Sequence, residues 1–146
     1  MFNKIIADAT EFYGDLKNPK GGIRSETYWN FDRAPLEGFL DELGYSFQEV
    51  SDENDDRSIM YALFDKTSLG SKQDRGLCLF SFVKPYLSAK GGSVNRIKEA
   101  SAFTDFVFVS ADILQLHVEA NEDYFSFDSP VLVENILFSD AKTFVS

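Results

Sequence analysis

One cysteine and one histidine in 146 residues remove two large classes of chemistry at the outset. A single thiol, Cys78, cannot close an internal disulfide, which argues against a secreted scaffold stapled by disulfides. One Cys and one His cannot build a thiolate–imidazole zinc site, so any metal would have to lean on carboxylates. Positive charge is scarce as well. Fourteen Lys and Arg face 24 Asp and Glu, for a formal net charge of -10 and a pI near 4.5. Phosphate backbones and anionic lipid surfaces both need a basic surplus, so neither nucleic acid nor membrane is an expected partner. Long apolar runs are missing too. Met1-Phe2-Asn3-Lys4 continues into Ile5-Ile6-Ala7-Asp8 without the stretch that a signal peptide or a membrane span requires, and the expected compartment is the cytoplasm.

Core material is abundant: 44% of residues are hydrophobic, with 15 Phe, 6 Tyr and 1 Trp. A chain of this length fits one domain and buries roughly two-thirds of its unfolded surface. The organising stretch is Leu77 to Val83, apolar on both parities apart from Ser81 and bounded by Gly76 and Lys84-Pro85. That pattern predicts a central strand covered on both faces, either by helices or by a second copy of the chain.

Phe2, Ile5, Ile6, Ala9, Phe12, Tyr13 and Leu16 recur at helical spacing opposite Lys4, Asp8, Glu11 and Asp15, and Asn18 to Gly22 stops that helix. Ile23 to Phe31, rich in Thr27, Tyr28, Trp29 and Phe31, reads as a short strand or extended arm. A second helix has Pro35 in its first turn, Leu36, Phe39, Leu40 and Leu43 inward, and Gly44 as its C-terminal cap. Tyr45–Ser51, Ser58–Phe64 and the central strand form an antiparallel meander, and Pro85 to Gly92 reads as a connection. Ser93 is placed as the cap of a third helix carrying Val94, Ile97, Ala100 and Phe103 along one face. Further strands are predicted over Asp105–Ser110, Ile113–Glu119 and Tyr124–Phe127, with a turn at Asn121-Glu122-Asp123. From Ser129-Pro130, a helix with Val133, Ile136, Leu137, Ala141 and Phe144 is favoured over a strand. The expected fold is one α+β domain, a twisted antiparallel sheet with packed helices: residues 1–34 supply a helix and an arm, and 35–146 the core.

Each chemical motif fails or has a plainer reading. Asp52, Asn54 and Asp56 alternate as in a calcium loop, but Arg57 stands where glycine is required and Leu63 where the bidentate glutamate belongs. Cys78 and His117 could pair as thiol and imidazole, yet Cys78 lies in the most apolar strand, where a thiol stays protonated. Lys90-Gly91-Gly92-Ser93 precedes a helix start but lacks phosphate-loop spacing. Glu119, Glu122, Asp123 and Asp128 gather near one turn, and carboxylates alone are a thin basis for acid–base catalysis. Neither an enzyme nor a cofactor is expected. The candidate partner-binding residues are the acidic turn (Asp52, Glu53, Asp55 and Asp56), the aromatics Tyr28 and Trp29, and the acidic pair Glu122 and Asp123.

From Pro35 onward the order is helix, strands, helix, strands, helix, with Leu40-Asp41-Glu42-Leu43-Gly44-Tyr45 entering the meander. A helix over Ser93–Phe103, then Phe106-Val107-Phe108-Val109 and a final Ser129-Pro130 helix, follow. This arrangement resembles type III secretion chaperones and the bacterial YbjN-like proteins. The resemblance implies a small acidic protein that binds other proteins, often as a dimer, without chemistry. The expected function is therefore non-enzymatic, chaperone- or adaptor-like binding and masking of another, basic protein. The alternative, from charge and size, is a bacterial immunity protein or antitoxin that neutralises a basic nuclease-type toxin.

Overall fold

The structure, a computed structural model, describes residues 1–52, 56–66, 74–126 and 130–139. Three helices come first: α1 (Phe2–Tyr13), α2 (Ile23–Asn30) and α3 (Ala34–Glu42). Strands β1 (Tyr45–Glu49), β2 (Ser58–Asp65), β3 (Asp74–Ser81) and β4 (Tyr86–Lys90) follow, then α4 (Val94–Ser101) and β5 (Val107–Phe108). Three short helices close the described chain: α5 (Ala111–Leu114), α6 (Glu122–Phe125) and α7 (Val133–Leu137). The sheet runs β1-β2-β3-β4-β5, antiparallel through β4 and parallel between β4 and β5. It is an α+β domain around a five-stranded mixed sheet.

Alternation along β3 sends its side chains to opposite faces. Cys78 and Phe80 pair with Tyr61 and Ile59 of β2, and these four pack under α3 and α4 with Leu36, Phe39, Leu40 and Ile97. Leu79, opposite Met60, faces a second core that contains Ile5, Ala9 and Tyr13 of α1 together with Val133, Ile136, Leu137 and Phe138. The chain's own helices cover both faces, so the two-sided hydrophobicity of Leu77–Val83 needs no second copy. Each fully buried side chain of the size of Ile5 or Leu79 contributes roughly 1.5–3 kcal/mol.

Several expectations change. The arm over Ile23–Phe31 is the helix α2, which starts at Gly22 in the left-handed region (φ 76°). Its polar side chains bond back one turn, Thr27 Oγ1 to Ile23 O and Asn30 Nδ2 to Glu26 O, each within 3.0 Å. The β-rich composition yields to tertiary placement, because strand propensity spans only about 1 kcal/mol per residue. Pro85 to Gly92 is not a plain connection: it holds β4, whose Tyr86, Leu87, Ser88 and Ala89 are all buried and therefore show no alternation. With α4 as the crossover, β5 returns parallel to β4, so the sheet is mixed rather than antiparallel. Within Asp105–Ser110 only Val107–Phe108 is strand.

In place of the strands expected at Ile113–Glu119 and Tyr124–Phe127, Ile113 and Leu114 end the helix α5, Tyr124 and Phe125 end the helix α6, and His117 pairs with Leu132 in a single isolated bridge; Phe127 lies outside the described residues. Leu116, expected inward, is 40% exposed, and Phe103, expected on the apolar face of the third helix, lies past the end of α4 and is 92% exposed. Asn121 makes no hairpin turn; its side chain accepts from Tyr124 N and caps α6. The favoured helix near the C-terminus is present as α7 but short, and every residue from Val131 to Ser139 is buried. Ser129, Ala141 and Phe144 lie outside the described residues. Gly44, at φ 85° just past α3, fills the capping role expected of it.

Candidate functional site

Two places depart from ordinary apolar packing, and they differ in kind. The first is a buried polar lock around α7. A helix end leaves its last four carbonyls without intrahelical donors, which is costly away from water. Here each of them finds a donor from elsewhere. Tyr13 OH donates to Ile136 O at 2.8 Å, Ser81 Oγ to Leu137 O at 2.6 Å, and Ser58 Oγ to Phe138 O at 2.9 Å. The fourth, Asn135 O, accepts from Arg57 Nη1 at 3.3 Å, while Arg57 N donates to Phe138 O at 2.7 Å. Arg57 is fully buried, donates through Nη2 to Tyr124 O, and lies 5.3 and 5.0 Å from the ring centroids of Tyr124 and Phe125. The side chain of Asn135 accepts from Leu132 N and donates to Ser139 O. This cluster is closed to solvent, and its bonds tie α1, β2, β3 and α6 to α7. Its work is structural.

The second place is open. A cleft of about 770 Å³ lies between α1, α2 and the turn after β3. From α1 it takes Asp8, Glu11 and Phe12, one face at i, i+3 and i+4; from α2 it takes Ile23, Glu26, Thr27 and Asn30, one face at i, i+3, i+4 and i+7. Phe82, Val83 and Lys84 form the floor. Asp8 Oδ2 accepts from Tyr86 OH at 2.6 Å and from Lys4 at 3.2 Å. The Tyr86 bond, ahead of the lysine, holds the Asp8 carboxyl below the usual range despite partial burial, so this wall is negative at neutral pH.

Helix α2 buries no residue completely and is held in place by a clamp instead. Arg33 grips Glu49 of β1 with two bonds, Nε to Oε1 at 2.5 Å and Nη2 to Oε2 at 3.2 Å, and donates from Nη1 to the carbonyls of Tyr28 and Phe31. Tyr28 OH donates to Glu49 Oε2 at 3.4 Å, and the guanidinium sits 4.9 Å from the Tyr28 ring. Burial pushes the Glu49 carboxyl up, and the paired Arg33 outweighs that and leaves it below its ordinary value. The end of α2 is thus pinned by polar groups while one helical face lines the cleft.

The residues singled out from sequence fall apart into unrelated places. Tyr28 is part of the clamp, turned toward Arg33 and Glu49. Trp29 packs edge-on against Tyr28 at 5.1 Å but is 68% exposed, on neither the clamp nor the cleft face. In the acidic turn Asp52 is exposed, whereas Asp56 is 6% exposed, accepts from Asp52 N at 2.7 Å and bridges to Ser139. Asp56 therefore leaves the solvated patch expected of it, because its carboxylate organises the entry to β2. Glu53, Asn54 and Asp55 lie outside the described residues. Glu122 and Asp123 are exposed in the first turn of α6, and Glu122 lines a separate groove of about 670 Å³ with Lys17, His117 and Glu119. The Lys17–Glu119 pair there, at 3.8 Å and with both side chains largely exposed, is worth little.

Cys78 and His117 are not brought together: Cys78 packs in the core under α3 and α4, and Val118, beside His117, packs on the opposite core. Burial pushes the Cys78 thiol pKa up, away from the thiolate a nucleophile needs. Ser93 occupies the capping position of α4 without making a side-chain cap bond, and Gly91 there serves a close backbone approach to Gly76. Among the described residues no group of three or more His, Cys, Asp or Glu could hold a metal ion, and no helix is long and apolar enough to cross a membrane. Sequence reasoning missed the cleft. Asp8 and Glu11 read as the solvated face of α1, and only the position of α2 turns them into a wall. No family model matches the chain, and comparisons with curated proteins and with solved structures found no match.

Proposed function

We propose that this is a non-enzymatic binding protein that holds a cationic segment of another protein in the cleft between α1 and α2. The observation that carries the reading is the cleft itself: about 770 Å³, walled by Asp8, Glu11 and Glu26, beside a helix that contributes no fully buried residue. That volume lies within the range of ligand-binding clefts. A groove of this shape takes a segment of chain rather than a folded face, which favours the chaperone- or adaptor-like mode. The net charge of -10 supports a basic partner, since complementary charge raises encounter rates and disfavours acidic competitors.

The test compares the wild-type protein with a Glu11→Lys/Glu26→Lys variant, both residues being exposed on the cleft walls. Partners are captured from the native cell at low salt, identified, and then titrated in purified form. The reading requires a basic partner bound by the wild type, weakened by salt, and lost in the variant while the fold persists by circular dichroism. A partner held equally by both proteins removes the cleft. A captured partner that is a nuclease toxic on its own, and silenced by this protein, makes the role that of an immunity protein.

A further inference from the structure

Beside the cleft lies a smaller pocket of about 200 Å³, walled by Phe31, Leu36, Phe80, Tyr86 and Phe106. Phe31 and Lys84 line both cavities, so the two are neighbours. The walls are well packed: Phe80 and Phe106 lie 5.3 Å apart between centroids, and Phe39 braces Phe106 from behind at 5.4 Å. A pocket of 200 Å³ falls below the ~300 Å³ at which sites for small-molecule ligands begin, and holds roughly the volume of seven waters. One side chain fits; a cofactor does not.

The polar groups at its inner wall are already engaged. Ser81 Oγ donates to Leu137 O and accepts from Val83 N, and Tyr86 OH donates to Asp8. A hydroxyl or amide entering there would find both lining hydroxyls engaged and would lose its water, which favours a side chain without polar atoms. The charged groups of the pocket, Asp32, Lys84 and Asp105, are exposed and stand on its solvent side. Across cleft and pocket together the lining presents five carboxylates, Asp8, Glu11, Glu26, Asp32 and Asp105, against Lys20 and Lys84. Asp32 and Asp105 extend the acidic lining to the pocket while Lys84 lines both cavities, so residues flanking an inserted apolar group would meet more acid than base.

We propose that the pocket receives one aliphatic or aromatic side chain of the partner as the anchor of the cationic segment in the cleft. This rests on the binding role proposed above and adds the recognition element: an apolar residue with lysines or arginines on either side. Charge alone would hold many basic segments, whereas a filled, desolvated pocket distinguishes among them.

Two measurements test it. Short lysine-flanked peptides that differ only in a central Leu or Ala are titrated by calorimetry. Separately, toluene is titrated while the methyl resonances of Leu36 are followed by NMR. Burial of a leucine side chain should make the Leu peptide at least about tenfold tighter than the Ala peptide, and toluene should shift the Leu36 methyls saturably. Equal affinity of the two peptides overturns the anchor and leaves the cleft reading standing. If neither peptide binds but toluene shifts Leu36, the pocket is a small-ligand site and the anchor is again overturned. No peptide binding and no toluene shift overturn both proposals.

Discussion

Replacing Arg57 with methionine separates a structural lock from a functional group more sharply than any other change in this chain. The guanidinium is fully buried and donates to the carbonyls of Asn135 and Tyr124. Methionine fills much of the same volume but donates nothing. Two buried acceptors left without donors cost roughly 1–3 kcal/mol each, and the lost contacts with the Tyr124 and Phe125 rings cost about 2 kcal/mol more. Removing a buried charge returns part of this as relieved desolvation. The net expectation is a loss of about 3 kcal/mol, a substantial share of the ~5–15 kcal/mol that holds a domain of this kind together. Urea unfolding, read by circular dichroism, would show it as a lower midpoint with little change in slope. The thermal midpoint should fall by about 10 °C, at roughly 3 °C per kcal/mol for a chain of this size. Arg57→Lys keeps a charge and a donor but cannot span both carbonyls, so it should fall between the two. A methionine variant within about 0.5 kcal/mol of the wild type would refute the lock. The same outcome joined to lost partner binding would move Arg57 into the binding machinery.

Four further outcomes follow from the same structure. Asp56→Ala should cost about 1–3 kcal/mol by stripping Asp52 N of its buried acceptor, and Asp52→Ala clearly less; equal losses in urea unfolding would put both back on the surface. Gly76 sits at φ 94° with an added Cβ only 1.9 Å from Lys90 O, so Gly76→Ala should destabilise by at least about 2 kcal/mol, and a wild-type melting curve would disprove the close approach of β3 and β4. Glu49 is held below its ordinary pKa in the fold, so its contribution is present above the usual carboxylate range and is lost as pH falls through it; Glu49→Gln should flatten the acid limb of stability against pH, and an unchanged limb would deny the clamp. Cys78 should resist a thiol reagent in the native protein and react promptly in urea, since its thiol is buried and kept protonated; fast native labelling would reopen it as a reactive group.

The parts of this fold that could be read from sequence are those in which one periodicity dominates. Helices α1, α3 and α4 carry an apolar stripe, and β3 is apolar on both parities because it is covered twice. The parts that could not be read are decided by partners far away in the chain. Leu114, Leu116 and Val118 alternate like a strand, but the segment they belong to meets Leu132 at a single bridge and otherwise forms α5 and a loop. Helix α2 rests on the cores only through the partly buried Ile23 and Tyr28; its polar anchor is Arg33, outside the helix, reaching Glu49 across the fold. Arg57 was legible only as the residue that spoils a calcium loop, because nothing local says that a helix near the other end of the chain needs its hydrogens. The cleft shares this limit. Its carboxylates look solvated on α1 and on α2 separately, and become a site only once the two helices face each other.

The two halves of the molecule are therefore built on opposite terms. Around α7, polar groups are buried, cross-linked to several elements and closed to solvent, an arrangement in which any change is felt throughout the core. Around α2, the polar groups of the clamp are a quarter exposed, with side chains of Arg33 and Glu49 at 25% and 26%, and the helix they hold contributes no fully buried residue. Segments with few buried apolar contacts open at free energies well below that of global unfolding. Release of the Arg33–Glu49 clamp would free α2 to shift, giving up only the partial packing of Ile23 and Tyr28 on the two cores, and would widen the cleft that α2 lines. Binding at the cleft and stability of the domain are thus separable here: Arg33→Gln should raise hydrogen exchange across Ile23–Asn30 while leaving β2 and β3 protected. Exchange that rose equally in all three would show that α2 is cooperative with the core, and that the cleft is as rigid as the sheet behind it.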